Sequence, residues 1–193
     1  MSGAGEIELF DKSVTNASPT DWSRDGRYIL ASVLDPKTNL DVWVLPQFGD
    51  RKAFRFLHSE FNEGWAKLSP NGQWLAYESD ETWRIEIYVQ TFPNPSGKWQ
   101  ISTNGGSRPV WSQSGKELYF IDRGRRMMAV DVGAGPKFQA GVPKLLFATR
   151  MVIGPNTIFD VGKDGRFLIP NQVEDAEAAP INVVVNWTAG LKK

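Results

Sequence analysis

The chain contains no cysteine, one histidine and no excess of either charge among its 193 residues. Without cysteine it has neither a disulfide framework nor a thiolate metal site. The 22 basic and 22 acidic residues balance, so the composition does not favour nucleic acid or an anionic membrane as a partner. No apolar run approaches the roughly 18 residues of a membrane-spanning helix, so none is predicted. The length of the chain fits one domain, which is large enough to bury its own core.

The amino terminus begins Met1-Ser2-Gly3-Ala4-Gly5-Glu6, without the basic and apolar regions of a signal peptide. A cytoplasmic location is therefore the default expectation. An extracytoplasmic location would follow if the chain were an excerpt of a longer, anchored protein.

One motif recurs four times and organises the chain. It reads Trp-Ser-Arg-Asp-Gly-Arg at 22–27, Leu-Ser-Pro-Asn-Gly-Gln at 68–73, Trp-Ser-Gln-Ser-Gly-Lys at 111–116 and Val-Gly-Lys-Asp-Gly-Arg at 161–166. The four motif glycines, Gly26, Gly72, Gly115 and Gly165, are separated by 46, 43 and 50 residues. A period of this length with strand-like content is typical of β-propeller blades.

The motif also predicts its own local structure. Asp-Gly and Asn-Gly pairs favour the positive φ angles of a tight hairpin turn, and glycine adopts them without a Cβ clash. An apolar segment precedes each turn and an apolar or aromatic run follows it. Each copy is therefore predicted to be strand, turn and strand, and Asp25, Asn71 and Asp164 to be turn formers rather than calcium ligands.

Two further strands follow most copies, so each unit is predicted to be a four-stranded antiparallel meander, as in a propeller blade. The sequence thus predicts an all-β fold, one β-propeller over residues 1–193 with four four-stranded blades. Blade 1 covers about 17–57, blade 2 about 64–102, blade 3 about 108–148 and blade 4 about 157–187. Blade 4 has no outer strand of its own after 181–186. The amino-terminal strand 6–10 is expected to complete it, or else to pair with a second copy of the chain through this open edge.

The motif copies resemble the TolB-like, WD-repeat-like β-propeller repeat of bacteria, over most of the chain from Glu6 to about Trp187. The ending, 181–193, is similar to the close of propellers that follow serine/threonine kinase domains or DNA-binding regulators in soil bacteria. One implication of this resemblance is that the propeller belongs to a larger enzyme. No kinase signature and no Gly-x-Ser-x-Gly elbow is present, so any catalysis would belong to another domain.

The sequence gives no set of catalytic residues. His58, the single histidine, stands at the end of a predicted outer strand, without a recognisable nucleophile and acid to act with. The basic cluster 123–126 is predicted to be a solvated hairpin tip. No cofactor and no metal is expected, and the chain is predicted not to be an enzyme by itself.

The expected binding surface is one mouth of the propeller, where the connections between blades converge on a rigid scaffold. Asn62, Glu63, Trp65, Arg108 and Asn156 lie on these connections and are the candidate ligand-binding residues. A protein or peptide is the expected ligand, and a glycan is possible. The expected function is a binding or scaffold module; the alternative is the accessory propeller of a serine/threonine kinase or a prolyl-oligopeptidase-like hydrolase. The chain is expected to be a monomer or a homodimer.

The tryptophans divide into two predicted groups. Trp22, Trp43, Trp74 and Trp111 are predicted to be core residues that face neighbouring blades. Trp65, Trp83 and Trp99 break the register of the repeat and are predicted to be partly exposed.

Overall fold

A computed structural model describes residues 14–151, 154 and 158–171, and these residues form an all-β propeller structure. Three four-stranded antiparallel sheets follow one another along the chain, and a two-stranded hairpin comes last. The first sheet contains β1 (Ala17–Trp22), β2 (Tyr28–Asp35), β3 (Asn39–Pro46) and β4 (Phe54–Leu57). The second contains β5 (Glu63–Leu68), β6 (Trp74–Ser79), β7 (Glu86–Thr91) and β8 (Lys98–Gln100). The third contains β9 (Ser107–Trp111), β10 (Glu117–Ile121), β11 (Arg126–Asp131) and β12 (Lys144–Ala148), and the hairpin joins β13 (Asp160–Val161) to β14 (Phe167–Leu168).

The strand order in each four-stranded sheet is the order in sequence, which is the meander of a propeller blade. We call the three sheets and the hairpin blades 1 to 4. The strands that the sequence predicted at 6–10 and 181–186 lie outside the described residues. Within the described residues, no helix is long and apolar enough to cross a membrane.

Each motif forms the turn between the first and second strands of its blade. The glycines Gly26, Gly72, Gly115 and Gly165 all have positive φ, between 68° and 76°, which confirms the prediction for them. Asp25 and Asn71, in contrast, do not have positive φ, so the positive φ predicted for the first residue of each pair is wrong. The Gly26 amide donates to the Ser23 carbonyl and the Ser23 amide donates to the Tyr28 carbonyl, so four residues form the loop.

The serine of the motif holds this loop together through its side chain. In blade 1, the Ser23 hydroxyl accepts the Tyr28 amide at 2.8 Å and donates to the Asp25 carboxylate at 2.7 Å. The same carboxylate accepts the Arg27 amide at 3.0 Å. Ser69 and Asn71 repeat the arrangement in blade 2. Side chains that satisfy backbone donors explain why Ser, Asp and Asn occupy these positions.

The core lies between blades rather than within them. One apolar cluster joins blades 1 and 2, a second joins blades 2 and 3, and a third joins blade 3 to blade 4. Alternate residues of each sheet point to opposite faces, and so every blade contributes one face to each neighbour. Leu75 and Tyr77 pack toward blade 1, whereas Trp74 and Ala76 pack toward blade 3.

The tryptophan predictions are only partly correct. Trp74 and Trp111 are buried in the cluster between blades 2 and 3, as predicted, and Trp43 is half-buried. Trp22 is 63% exposed, so its prediction as a core residue is wrong. The Trp111 indole donates to the Lys67 carbonyl of the preceding blade at 3.0 Å, whereas the Trp22 indole donates at 3.2 Å to Gly26 of its own turn.

A bulge in the inner strand of blades 2 and 3 connects each of them to the preceding blade. The register against the second strand shifts between Gly64 and Lys67 in β5 and beside Ser107 in β9. At the bulge Trp65 and Arg108 have φ of 52° and 58°, a left-handed conformation that is strained for residues with a side chain. The Trp65 amide donates to the Ser32 hydroxyl of blade 1 at 3.1 Å, and the Arg108 amide donates to the Glu78 carboxylate of blade 2 at 2.6 Å.

Candidate functional site

A cavity of about 590 Å³ opens at the mouth of the propeller between blades 2 and 3. Its walls come from the two connections between blades and from the hairpins that join the second and third strands. The lining residues are Leu40, Asn62, Gly64, Trp65, Glu78, Ser79, Asp80, Arg84, Ile85, Gly105, Gly106, Ser107, Arg108, Ile121, Asp122 and Arg123. We call this the mouth cavity. The predicted convergence of the connections on one end of the propeller is therefore observed at this cavity.

Trp65 and Arg108 meet within the wall of this cavity. The Arg108 guanidinium lies 3.6 Å from the centre of the Trp65 ring, in cation–π contact. The two residues occupy the same place in consecutive blades, seven residues before the motif glycine. Because both stand on the strained bulge described above, the backbone fixes the direction of each side chain. Strain of this kind is concentrated at binding sites.

Glu78 completes the group from the second strand of blade 2. Its Oε1 accepts the Arg108 side chain at 3.0 Å as well as the Arg108 amide. Both side chains are more than nine-tenths buried. Burial raises the pKa of Glu78 above its ordinary value, and the positive charge of Arg108 opposes this rise. The Arg108 guanidinium also donates to the carbonyl of Gly154 at 2.6 Å, which ties the group to the chain after blade 3.

A second buried carboxylate, Glu86, holds the connection between blades 2 and 3, which also lines the cavity. Glu86 is fully buried at the start of β7. It accepts the amide of Gly105 at 2.9 Å, the Arg84 guanidinium at 3.0 Å and the hydroxyl of Ser102. Gly106 lies so close to Ser102 and Ile87 that a Cβ there would meet the Ser102 hydroxyl at 2.6 Å. The wall is therefore a fixed part of the scaffold.

A smaller cavity of about 360 Å³ lies along the inner strands. It contains residues from the first strand of all four blades, including Trp22, Lys67, Val110 and Asp160. Trp65 and Arg108 line this channel cavity as well as the mouth cavity, so the pair forms a common wall. At the motif turns the Arg24 guanidinium of blade 1 donates to the Gln113 side chain of blade 3 and, at 3.2 Å, to its carbonyl.

Two other predicted binding residues have different surroundings. Asn62 lines the mouth cavity, where its amide and its side chain donate to the Asp80 carboxylate at 2.9 and 2.7 Å. Glu63 is buried and accepts the amide and hydroxyl of Ser59 at 3.0 and 2.9 Å. It lines neither cavity, and its contacts are those of a residue that closes a turn. Asn156 lies outside the described residues.

The hairpins between the second and third strands contribute lining residues that the sequence prediction did not include. Glu78, Arg84, Ile85, Asp122 and Arg123 come from these hairpins. Their signal in the sequence is positional: Glu78 stands six residues after Gly72, and Ile121 six after Gly115. In a complete meander these hairpins lie at the same end of the propeller as the connections between blades. The sequence prediction could therefore have included residues of the hairpins as well as residues of the connections.

Trp83 is the most exposed large apolar residue of the described chain, at 93%, and Ile85, two residues later, is 49% exposed. Both belong to the hairpin between β6 and β7. The Trp83 amide donates to the Asp80 carbonyl at 2.7 Å, and its φ is 63°. A hydrogen-bonded turn therefore holds this exposed indole directly before Arg84 and Ile85 in the chain, and these two residues line the mouth cavity, whereas Trp83 itself does not.

The basic cluster 123–126 lies at the hairpin between β10 and β11, as predicted. Its last member, Arg126, donates to the Asp122 carboxylate at 2.7 Å. His58 follows β4 and lines neither cavity. Among the residues that the structure describes, no group of three or more histidine, aspartate or glutamate side chains is arranged to hold a metal ion.

Comparison with known proteins gives a match in structure and none in sequence. No family model matches the chain, and no curated protein does. TolB from Acinetobacter baumannii matches with a TM-score of 0.58 at 18% identity, over 78% of this chain and 36% of TolB. The putative TolB from Agrobacterium tumefaciens matches with a TM-score of 0.58 at 18% identity, over 78% of this chain and 56% of that one.

A third match is the periplasmic gluconolactonase PpgL from Pseudomonas aeruginosa, with a TM-score of 0.44 at 16% identity, over 75% of this chain and 47% of that one. The chain thus spans about one third to just over one half of the length of the TolB structures. At these identities the likeness concerns the fold alone. On this structural likeness and on its blade meanders, the chain has a TolB-like β-propeller fold.

Proposed function

We propose that this protein is a non-enzymatic binding module that holds a segment of a protein partner at the mouth cavity. The observation that carries the proposal is the Trp65–Arg108 pair, fixed by two strained bulges and by the buried Glu78 in the wall of a cavity of about 590 Å³. Its size lies within the usual range of ligand sites, about 300–1,000 Å³.

The rim of the cavity favours a protein ligand over a small molecule. Ile85 lines the cavity, and Trp83, two residues before it on the same hairpin, is almost fully exposed; tryptophan is among the residues most enriched at the energetic centre of protein interfaces. Arg84 and Arg123 flank the same opening. An apolar side chain of the partner would enter between these groups, while the polar rim contacts its backbone. A glycan, which the sequence left possible, would use the indole faces without needing Ile85.

The acidic residues of the cavity support binding rather than catalysis. Glu78 pairs with Arg108, Asp122 pairs with Arg126, and Asp80 accepts hydrogen bonds from Asn62. A general base has to lie within hydrogen-bond reach of a nucleophile or a substrate proton, and each of these carboxylates already holds a protein donor. The module would also serve as the accessory propeller of a larger enzyme, and the same cavity would then bind a neighbouring domain or its substrate.

The proposal is tested by selecting from a displayed library of random peptides with the whole chain immobilised. Binding of each selected peptide is then measured by calorimetry. We expect Trp83→Ala to weaken binding by about tenfold or more, because removal of an interface tryptophan costs more than about 1.4 kcal/mol. Phe48→Ala is the matched control, since Phe48 is a partly exposed aromatic residue between β3 and β4, outside the mouth cavity.

Arg108→Ala is not suitable for this test, because it leaves Glu78 buried without its partner and affects folding. Ile85→Ser is the second variant, at an exposed position of the same rim. The proposal is wrong if no peptide is selected. It is also wrong if the selected peptides bind the Trp83 and Ile85 variants as tightly as the unchanged chain.

A further inference from the structure

Six charged side chains line the mouth cavity, and five of them already have a partner within the chain. The five are Glu78 and Arg108, which pair with each other, Arg84, which pairs with the buried Glu86, Asp122, which pairs with Arg126, and Asp80, whose two oxygens accept the amide and the side chain of Asn62. A ligand would have to displace a contact of the protein to use any of these groups. The five charges are therefore part of the scaffold.

Arg123, the sixth charged residue, is the exception. It is exposed in the hairpin between β10 and β11. Among the residues that the structure describes, none forms a hydrogen bond, an ion pair or a ring contact with its guanidinium. A guanidinium has five N–H donors and keeps its positive charge in proteins. Arg123 thus gives the cavity a cation that no carboxylate of the described chain neutralises.

A glycine fixes the position of Arg123 beside the cavity. Gly105 has a φ of 86°, and a Cβ at this residue would lie 3.0 Å from the Arg123 Cβ. Any side chain at 105 would push the hairpin away from the connection between blades 2 and 3. The Gly105 amide in turn donates to the buried Glu86 at 2.9 Å. The side chain of Arg123 therefore starts at a fixed place in the wall, although the residue is exposed.

Apolar surface lies beside the same connection. The Ile85 carbonyl accepts the amide of Gly106 at 3.0 Å, so Ile85 and Arg123 flank one short stretch of backbone. Ile85 is 49% exposed, and Leu40 and Trp65 are half-buried in the lining of the cavity. Contact with these three residues would remove apolar area from water, which favours an apolar side chain of the ligand. The cavity thus combines a cation with an apolar surface.

We propose that the mouth cavity recognises a carboxylate and an adjacent apolar side chain in the partner segment. Arg123 binds the carboxylate, and Ile85 contacts the apolar group. This inference rests on the proposed function, because it names the chemistry of the segment that is held there. Charge complementarity supports it, since an arginine and a carboxylate form short, charge-assisted hydrogen bonds in a planar arrangement.

A phosphorylated segment fits this cavity less well than a carboxylate. Sites for phosphorylated motifs group several arginines. Here the two other arginines of the lining, Arg84 and Arg108, are already paired with buried glutamates. A protein segment supplies a carboxylate in two ways, through an aspartate or glutamate side chain or through its free carboxyl terminus. Both present the same anionic group to Arg123.

The peptides selected in the test of the proposed function also test this inference. Each acidic side chain of a peptide is replaced by its amide, and separately the carboxyl terminus is amidated, so that the two sources of the carboxylate are distinguished. On the unchanged chain, we expect one of these replacements to weaken binding by about tenfold, the loss that corresponds to one charge-assisted hydrogen bond. On Arg123→Gln, the same replacement should have no further effect, because the pair is already lost.

Arg125→Gln is the matched control. Arg125 is an exposed arginine of the same hairpin, and it does not line the mouth cavity. The control removes the same charge as Arg123→Gln, so it reports any effect of net charge alone, and it should leave the affinity unchanged. Thermal melts of both variants should match the unchanged chain, since both substitutions lie at exposed positions.

Three results would overturn this inference while the proposed function stands, with Ile85→Ser still weakening binding. The selected peptides may bind equally well without any carboxylate, the two arginine variants may weaken binding equally, or removal of the carboxylate may have the same effect on Arg123→Gln as on the unchanged chain. If instead no peptide is selected, or Ile85→Ser and Trp83→Ala have no effect, the proposed function is wrong and this inference is wrong with it.

Discussion

Blade 2 and blade 4 contain the same turn motif, but they differ in the residue that closes the turn. In blade 2 the Ser69 hydroxyl accepts the Trp74 amide at 3.0 Å, and the Ser69 amide donates to the Trp74 carbonyl, five residues on. In blade 4 the equivalent residue is Gly162, which has no hydroxyl. Its amide donates to the Arg166 carbonyl, four residues on. The turn is therefore one residue shorter.

Because of this difference, the side chains of the strand after the turn point to the opposite faces of the sheet in the two blades. In blade 2 Leu68 pairs with Leu75, three residues after the motif glycine, whereas in blade 4 Val161 pairs with Phe167, two residues after it. A shift of one residue moves every side chain to the opposite face of a sheet. Phe167 and Ile169 accordingly pack toward blade 3, and Leu168 is exposed. The shorter turn and the changed register thus occur together with the missing serine hydroxyl, and we expect this hydroxyl to set the register of the hairpin.

Blades 2 and 3 also differ from each other, at the position six residues after the motif glycine. Blade 2 has Glu78 there, which holds the inner strand of the next blade through Arg108; blade 3 has Ile121, which packs in the apolar cluster with blade 4. The junction between blades 2 and 3 therefore combines a buried ion pair with apolar packing.

The largest effect is expected from removing Arg108. Arg108→Ala should reduce the free energy of unfolding by about 3–5 kcal/mol, because Glu78 remains buried without its positive partner. Lys144→Ala should leave the free energy of unfolding nearly unchanged, since the Lys144–Asp131 pair is largely exposed. Chemical denaturation of both variants checks this. Equal losses would show that the buried pair is not what joins blades 2 and 3.

Removal of the serine hydroxyl in blade 2 is expected to have the next largest effect. Ser69→Ala leaves the buried amide of Trp74 without its acceptor, which costs about 1–3 kcal/mol. Denaturation measured by tryptophan fluorescence gives the free energy of unfolding. An unchanged midpoint would mean that the shorter turn of blade 4 has a cause other than its missing hydroxyl.

Gly26→Val should destabilise the chain by about 1–2 kcal/mol, because valine is forced into a positive φ. No atom lies within 4 Å of the position that a Cβ would take at Gly26, so the cost comes from the backbone conformation alone. Gly26→Asn should be milder, since asparagine tolerates this conformation better. If the two variants have the same melting temperature, backbone strain does not explain why glycine occupies this position.

The smallest effect is expected at Gly162. Gly162→Ala should change the free energy of unfolding by less than about 1 kcal/mol, because φ at this residue is not in the left-handed region and alanine restricts the unfolded chain. The closest atom to the added Cβ would be Asp164 Oδ1, at 2.7 Å. This oxygen accepts the Arg166 amide at 3.2 Å, and because the side chain is exposed, it can turn toward solvent at the cost of this long hydrogen bond. A thermal melt beside Ser69→Ala makes the comparison direct, and a large loss at Gly162 would contradict the account of the two turns.

The sequence by itself determined the blade. Strand, turn and strand follow from neighbouring residues, because a motif glycine with positive φ and the apolar runs around it act locally, and a regular period reveals their repetition. The sequence also singled out Trp65 and Arg108, but it placed them on the connections between blades, whereas they lie in the inner strands β5 and β9. It did not reveal that Glu63 is buried and accepts hydrogen bonds from Ser59. A glutamate beside glycine and tryptophan is equally compatible with an exposed position at the rim.

Contacts between blades were decided only by the tertiary structure. Trp22 and Trp111 occupy the same motif position, yet one is exposed in the channel cavity and the other is buried, because burial depends on what the neighbouring blade presents to each indole. The stacking of Arg108 on Trp65 and its pairing with Glu78 join residues 43 and 30 positions apart along the chain. Local sequence patterns do not predict these contacts, because the rotation from one blade to the next determines which distant residues meet.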